Sequence, residues 1–193
     1  MNRITVKFIV VGLALALAVL SGCGGRDEDA SRDEAAVSTP DATEIGTTEG
    51  KFPPPIDLPD LAGNNVTLAD FEGKVVILDL WATWCPPCRQ EIPFLVELYD
   101  DLRDDGLVVV GVGLDEGGAG VLKPYAEKNG ITYPILVGNR GVQDAYGVTG
   151  IPTTFFIGRN GRIASRHVGY HPSMADGMRA EIMNLLQPAG EGA

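Results

Sequence analysis

The stretch that decides the fold is residues 74–89, which read KVVILDLWATWCPPCR. Its first part is an apolar run that begins at Val75, and such a run is typical of a strand buried on both faces. The segment after it, through about Arg103, has apolar residues at the spacing of one helical face. These residues are Ile92, Leu95, Val96, Tyr99 and Leu102. The pair Cys85 and Cys88 therefore falls where a buried strand becomes a helix.

The position of the cysteine pair predicts redox chemistry. A helix N-terminus has unsatisfied N–H groups and the positive end of the helix dipole, and both favour a thiolate over a thiol. We expect Cys85, at the helix start, to be the exposed attacking thiol, and Cys88, one turn further in, to be the shielded resolving thiol. Pro86 and Pro87 between them cost little, because the first helical turn needs no N–H partners.

Other interpretations of the two cysteines stay open at this point. A structural disulfide at this spacing would close a very short loop and would constrain the unfolded chain little. A metal site could add His167 and His171, but the gap from the cysteines to these histidines is far longer than in a zinc finger. Haem attachment requires a histidine directly after the second cysteine, and Arg89 stands there.

Three motifs together carry a family resemblance. They are WATWCPPCR at residues 81–89, GVTGIPT at residues 147–153, and Pro93 five residues after the second cysteine. The chain resembles the TlpA/ResA-like branch of the thioredoxin-fold proteins over about residues 52–187. The resemblance implies an α/β thioredoxin-like fold, in which a mixed central sheet is flanked by helices, with an N-terminal β-hairpin and a central αβ insertion.

The resemblance also implies roles for residues around the cysteines. Pro152 matches the family's cis-proline, which would place the backbone of Ile151 beside the disulfide, where a substrate strand can pair. Trp84, Pro86 and Pro87 would line the same substrate-binding surface. The implied redox centre is the disulfide alone, without a further cofactor or metal.

Asp79 interrupts the apolar run of the first strand, six residues before the first cysteine. Its position matches the buried aspartate of thioredoxin, which implies that it assists proton transfer with the inner cysteine. Many members of this branch have a neutral residue there, and some place a glutamate between the cysteines, where this chain has Pro86. The alternative is a solvated carboxylate at a frayed strand end. For Glu91, in the first helical turn, we expect a favourable interaction with the helix dipole.

The rest of the domain is predicted from turn signals and periodicity. Residues 63–65 are a turn signal between two short strands, and Asn160-Gly161 is a second hairpin turn. Proline is unfavourable in the interior of a helix, so we expect the helix that contains Pro124 to start late or to kink. The last helix is predicted to begin after Ser173, with Asp176 completing a capping box. The remaining elements are strands at 107–114, 133–137, 153–157 and 162–168, and a helix at 121–129.

The N-terminal residues predict export and a lipid anchor. Two basic residues precede an apolar stretch at 8–20, which is too short for a comfortable membrane span. The stretch ends in LSGC at 20–23, which resembles the bacterial lipobox. We expect a signal peptide at 1–22 and lipidation of Cys23, which would explain the odd third cysteine.

The remaining boundaries follow from composition. Residues 23–51 are rich in acidic and small polar side chains without hydrophobic periodicity, so we expect the lipidated cysteine to be followed by a disordered acidic tether. The thioredoxin-like domain is predicted to span residues 52–188. Residues 189–193 are predicted to form a flexible tail. The formal net charge of −11 disfavours nucleic acid as a partner.

The sequence therefore predicts a cell-envelope thiol–disulfide oxidoreductase. Its expected partners are thiols and disulfides of exported proteins, with apocytochrome c implied by the resemblance, a membrane thiol-electron donor, and the membrane that holds the lipid anchor. Disulfide reduction or exchange is the main hypothesis, and a disulfide-donating oxidase is the alternative. A thiol peroxidase is weaker, because Leu78 and Ala82 stand where peroxiredoxins have proline and threonine. A copper-binding module would use Cys85, Cys88 and a histidine.

Overall fold

A computed structural model describes residues 40–187. Within this range the strands are β1 Asp57–Pro59, β2 Asn65–Thr67, β3 Val75–Trp81, β4 Leu107–Gly113, β5 Ile135–Val137, β6 Thr153–Ile157 and β7 Ile163–Val168. The α-helices are α1 Pro86–Leu102, α2 Ala119–Asn129, α3 Arg140–Ala145 and α4 Ala175–Leu186. Apart from α3, the order of elements is the one expected for a thioredoxin-like domain with α2 and β5 inserted.

The central sheet has the strand order β5-β4-β3-β6-β7, so β3 lies in the middle. Strands β4 and β5 run parallel to β3 and to each other, whereas β6 pairs with β3 and with β7 in the antiparallel sense. Every residue of β3 is buried. A strand that is buried on both faces is usually apolar along its length, which explains the apolar run of β3, and Asp79 is the exception in it. The predicted α/β fold with a mixed sheet is confirmed.

The predicted N-terminal hairpin is present as the antiparallel pair β1–β2. A bridge between Asp60 and Leu136 joins the hairpin to β5, which is an edge strand of the sheet. Exposed strand edges invite pairing with other chains, so the hairpin covers part of an edge that the insertion would otherwise leave open.

The two faces of the sheet have separate cores. Odd-numbered side chains of β3, such as Ile77, lie under α1, α2 and α4, whereas even-numbered ones, such as Leu78, lie under α3 and the segment that contains the hairpin. This division follows from the alternation of side chains along a strand. It places Asp79 on the same face as Cys88, which is also part of the first core.

The predicted boundary between tether and domain at residue 51 needs correction. Residues 42–44 form a short 3₁₀ helix that Asp41 caps, and Ile45 pairs with Phe52. Gly50 N–H donates to the carbonyl of Ile163 at 2.8 Å, in the strand β7. This segment is attached to the domain by backbone hydrogen bonds and by the ring of Phe52, which packs against Arg162. Such contacts need no hydrophobic periodicity, so the sequence pattern did not indicate them.

The helices differ from the predictions in three ways. Helix α2 starts at Ala119, earlier than predicted, and includes Pro124. Helix α3 was not predicted, because six residues are too few to show a period. Helix α4 lacks the predicted capping box: Ser173 lies in a 3₁₀ turn, where its N–H donates to His171 Nδ1 at 3.3 Å.

Several predictions lie outside the described residues. These are the signal peptide at 1–22, the lipidation of Cys23, the tether up to residue 39 and the tail at 189–193. Among residues 40–187, none of the helices combines the length and the apolar character that crossing a membrane requires.

Candidate active site

Cys85 and Cys88 form a disulfide at the start of α1, with an S–S distance of 2.11 Å. Cys85 is the N-cap residue of the helix, and its Sγ accepts a hydrogen bond from the Cys88 N–H at 3.2 Å. A sulfur held at the positive end of the helix dipole and facing a backbone donor is stabilised as a thiolate after reduction. The predicted junction between strand and helix is therefore the location of the redox centre.

The expectation that Cys85 is exposed is wrong for the oxidised protein, in which only 2% of the residue is accessible. Its Sγ lies 3.5 Å from the carbonyl oxygen of Ile151. The neighbouring Trp84 is instead 65% exposed. The exposed surface next to the disulfide is therefore formed by Trp84 and not by the sulfur of Cys85.

The peptide bond between Ile151 and Pro152 is cis, which confirms the prediction. Thr153 Oγ1 donates to the Gly150 carbonyl at 2.6 Å and closes the turn before β6. Pro86 and Pro87 occupy the first two positions of α1, and Pro86 is exposed beside Trp84. The residues predicted to bind substrate thus surround the disulfide.

A buried carboxylate that the sequence did not single out holds the loop before the cysteines. Asp115 follows the end of β4 and accepts from the N–H of Thr83 at 3.0 Å and from its hydroxyl at 2.6 Å. The carboxyl ends of neighbouring parallel strands meet at one edge of a sheet. An acidic residue just after β4 could therefore have been expected near the loop that follows β3. Its function here is to fix the backbone two residues before Cys85.

Asp79 is fully buried, so the alternative of a solvated carboxylate at a frayed strand end is wrong. It lies opposite Thr154 of β6 and Gly111 of β4 in the sheet register. Its carboxyl oxygen lies 3.4 Å from the hydroxyl of Thr154. Burial raises the pKa of Asp79 to about 7, because the charged form loses its hydration.

Glu91 is buried beside Asp79, with 1% of its surface accessible, and it lies beyond the first turn of α1, so the expected interaction with the helix dipole from the first turn is wrong. Its carboxyl accepts from the hydroxyl of Thr154 at 3.0 Å. Burial, and then the charge of Asp79, raise the pKa of Glu91 to about 9. The signal was present in the sequence, because residues 88, 91, 92 and 95 share one helical face and are buried together.

The two carboxyl groups act as a unit, which we call the carboxyl pair. Thr154 has a single hydroxyl hydrogen, so it cannot donate to both groups at once. Two carboxylates that share a buried site do not both ionise readily, and their proton-binding steps belong to the pair rather than to either residue. The pair can hold one proton near neutral pH on the face of the sheet that contains Cys88.

The two histidines have other partners than the cysteines. His167 Nε2 lies 3.2 Å from Glu181 and from Ser165. His171 caps the 3₁₀ turn before α4. Within residues 40–187, no group of three or more histidine, cysteine or acidic side chains is arranged to hold a metal ion.

In a comparison with known protein families, residues 50–166 match the AhpC/TSA family. The chain belongs to the AhpC/TSA family. Thiol-disulfide oxidoreductase ResA of Halalkalibacterium halodurans is 35% identical over 133 residues, which are 68% of this chain and 73% of that protein. ResA of Bacillus subtilis is 33% identical over 142 residues, which are 73% of this chain and 77% of the relative.

A solved structure shows the same relationship. The crystal structure of a candidate thiol:disulfide interchange protein DsbE from Chlorobium tepidum has a TM-score of 0.69 at 33% identity, covering 74% of this chain and 100% of the other. The resemblance to TlpA/ResA-like proteins is confirmed. This AhpC/TSA family member is a thiol–disulfide oxidoreductase, and the Cys85–Cys88 disulfide is its redox centre.

Proposed function

We propose that this oxidoreductase reduces or exchanges disulfides in exported proteins, with Cys85 as the attacking thiol and the carboxyl pair as the proton acceptor for Cys88. The observation that carries the proposal is the arrangement around the disulfide. One sulfur lies at the helix start beside the carbonyl of Ile151, and the other is fully buried, on the face that contains two carboxyl groups of raised pKa.

The first half of the reaction takes place at Cys85. In the reduced enzyme its thiolate attacks one sulfur of a client disulfide, the client S–S bond breaks, and the leaving client sulfur takes a proton. A mixed disulfide now joins Cys85 to the client. The exposed indole of Trp84 and the backbone of Ile151 would hold the client segment during this step, because both border the disulfide.

The second half takes place at Cys88. Its thiol transfers a proton to the carboxyl pair, and the resulting thiolate attacks the sulfur of Cys85. The mixed disulfide breaks, the enzyme disulfide forms, and the second client sulfur leaves as a thiolate that takes a proton from solvent. The client has gained two electrons, which the enzyme has lost. A buried thiol ionises poorly, so an acceptor that takes a proton near neutral pH assists this step.

Cysteine substitutions test these assignments. We expect Cys88→Ser to accumulate mixed disulfides on Cys85, because the resolving thiol is gone, whereas Cys85→Ser should form none. Gel electrophoresis without reductant, followed by mass spectrometry of the trapped peptide, measures both. In the reduced enzyme at mildly acid pH, an alkylating reagent should label Cys85 first. Mixed disulfides or first labelling at Cys88 would contradict the proposal.

The direction of electron flow depends on the reduction potential of the disulfide. A reductase is expected near about −270 mV, whereas a disulfide donor is expected near about −120 mV. Equilibration of the protein with glutathione buffers would distinguish the two. A value at the oxidising end would favour the oxidase, which uses the same cysteines in the reverse direction.

The peroxidase alternative has little support. Leu78, at the position where peroxiredoxins have proline, lies on the opposite face of β3 from Cys88 and is buried in the second core. Ala82, at the position of their threonine, is also buried and carries no hydroxyl for a peroxide.

The cellular site is part of the proposal. The basic start, the apolar stretch and the LSGC motif support an envelope location, with Cys23 lipidated and the domain outside the cytoplasm. Clients would then be exported proteins such as apocytochrome c, and a membrane thiol-electron donor would reduce the enzyme again. Mass spectrometry of the mature N-terminus should find diacylglycerol on Cys23. A free Cys23 thiol, or cleavage elsewhere, would contradict the anchor.

A further inference from the structure

A tight turn joins the end of β3 to the start of α1. The backbone N–H of Cys85 donates to the carbonyl of Ala82 at 3.2 Å, and this bond closes a turn with Thr83 and Trp84 at its centre. Both ends of the turn are buried, whereas Trp84 is exposed. A hydrogen-bonded turn fixes the direction in which the chain leaves it. The conformation of this turn therefore determines where Cys85 lies relative to the helix.

The carboxylate of Asp115 binds the turn at Thr83. Just before it in the chain, the Leu114 N–H donates to the carbonyl of Trp81 at 2.8 Å, past the paired ends of β3 and β4. The Thr83 N–H then donates to Oδ2 of Asp115 at 3.0 Å, and the Thr83 hydroxyl donates to Oδ1 at 2.6 Å. Hydrogen bonds to an ionised acceptor are stronger than neutral ones. Because only 7% of Asp115 is accessible, water competes little for these bonds.

The same turn is also bound from the helices. Nη1 of Arg89 in α1 donates to the carbonyl of Thr83 at 3.4 Å. The carbonyl of Asp115 accepts from the N–H of Gly118, the residue that precedes α2, at 2.9 Å. Burial raises the pKa of Tyr125 in α2, Arg89 lowers it and Asp115 raises it, so both charges lie near that ring. Thr83 is thus tied to α1 and to the segment that leads into α2.

We propose that Thr83 and Asp115 are positioning residues, which hold the turn so that the sulfur of Cys85 stays at the start of α1. The inference rests on the proposed function of Cys85 as the attacking thiol. Its Sγ accepts from the Cys88 N–H at 3.2 Å, and this donor and the helix dipole favour the thiolate only while the sulfur stays there. A looser turn lets the sulfur leave the donor, and the thiolate becomes less stable.

The test is the pH profile of alkylation at Cys85 in the reduced chain with Cys88→Ser, which leaves one thiol at the redox centre. Thr83→Val keeps the shape of the side chain and removes its hydroxyl. The midpoint should rise by about half a pH unit, the size of a typical helix-terminus interaction. Below the midpoint, labelling should slow about threefold. Peptide mass spectrometry separates the label on Cys85 from any label on Cys23.

This substitution changes position without changing charge. The titratable and charged groups around the redox centre are the same with Thr83 or Val at this position, so a shifted midpoint cannot come from a lost charge. These groups are Asp79, Arg89, Glu91, Asp115, Tyr125 and Tyr170. A hydrogen bond that served only the stability of the fold would change the unfolding temperature and leave the midpoint where it was.

Two further variants serve as controls. Thr83→Ser keeps the hydroxyl and should restore the original midpoint. The matched control is Thr132→Val, because the Thr132 hydroxyl also donates to an aspartate, Asp100, at 3.0 Å. That pair lies near the other end of α1, about 22 Å along the helix from Cys85, and its loss should leave the midpoint unchanged. An unchanged midpoint in Thr83→Val, or an equal rise in Thr132→Val, would overturn the proposal.

Hydrogen exchange tests the same contact without a substitution in the turn. In the reduced protein the Thr83 N–H should exchange at least about tenfold more slowly than the N–H of the exposed Trp84, after correction for intrinsic rates. Equal corrected rates would overturn the proposal, because the turn would then not be held when Cys85 attacks. Both experiments ask what holds Cys85, whereas trapping of mixed disulfides asks which thiol attacks. Either inference can therefore fail while the other stands.

Discussion

The two faces of β3 are equally buried but chemically different. On the face under α3, Leu78 and its neighbours are apolar, and the buried Tyr146 hydroxyl donates to the carbonyl of Pro54 at 2.6 Å. On the face under α1, Asp79 stands among unpaired polar atoms, and the hydroxyl of the buried Tyr133 is one of them. One strand thus separates a face whose buried tyrosine hydroxyl is paired from a face on which the Tyr133 hydroxyl and one oxygen of each carboxyl group have no protein partner.

The difference shows where this fold gives up stability for chemistry. A buried carboxyl group is costly unless it is paired or neutral, and packing alone would be served better by a residue such as Leu78. The cost is concentrated behind Cys88, where a group that binds a proton near neutral pH is useful. Within residues 40–187, the core on the opposite face contains no cysteine, and its buried tyrosine hydroxyl is paired with backbone.

The largest expected effect comes from removing the polar character of the α1 face. In Asp79→Asn with Glu91→Gln, the resolving step at Cys88 should slow by roughly 10²–10⁴-fold, the usual contribution of a general base. The first attack by Cys85 should change much less. Stopped-flow reduction of a model disulfide protein, with the two steps followed separately, measures both rates.

The single variants and the pH profile sharpen this prediction. Each single substitution leaves one carboxyl group, so both should retain part of the assistance. In the wild type the resolving rate should rise with pH through about 7, where Asp79 loses its proton, because a base must be ionised to accept one. The double variant should lack this rise. Equal resolving rates in all four proteins would make the carboxyl pair a structural feature only.

The sequence predicted the face of β3 that carries the chemistry but not its full set of residues. Asp79 could be recognised from the sequence, because a carboxylate is unusual within an otherwise apolar strand. Glu91 was assigned to the helix dipole, although its spacing from Cys88 and Ile92 places it on the buried face. The hydrogen bond to Glu91 comes from Thr154, which is 63 residues distant in the chain, and local patterns do not show such a partner.

Other parts of the site depend on contacts that local patterns do not contain. Tyr133, which lies two residues before β5, packs near Gly111 of β4, and Asp115 binds Thr83 from beyond the end of β4. The segment at 42–52 folds onto β7 through backbone hydrogen bonds, which any sequence can form. In contrast, the cysteine pair, the cis-proline and the order of buried strands depend on local sequence, and these predictions are confirmed.

The smallest expected effect compares the two buried tyrosines directly. Tyr146→Phe leaves the buried carbonyl of Pro54 without its donor, so the free energy of unfolding should fall by about 1–2 kcal/mol. Tyr133→Phe removes a hydroxyl that no protein atom accepts from, so at pH 5, where both carboxyl groups are protonated, the change should stay within about 0.5 kcal/mol. Denaturant unfolding of the two oxidised variants at that pH measures the difference. Equal losses would mean that Tyr133 is as firmly paired as Tyr146, and that the two faces do not differ in how their polar groups are satisfied.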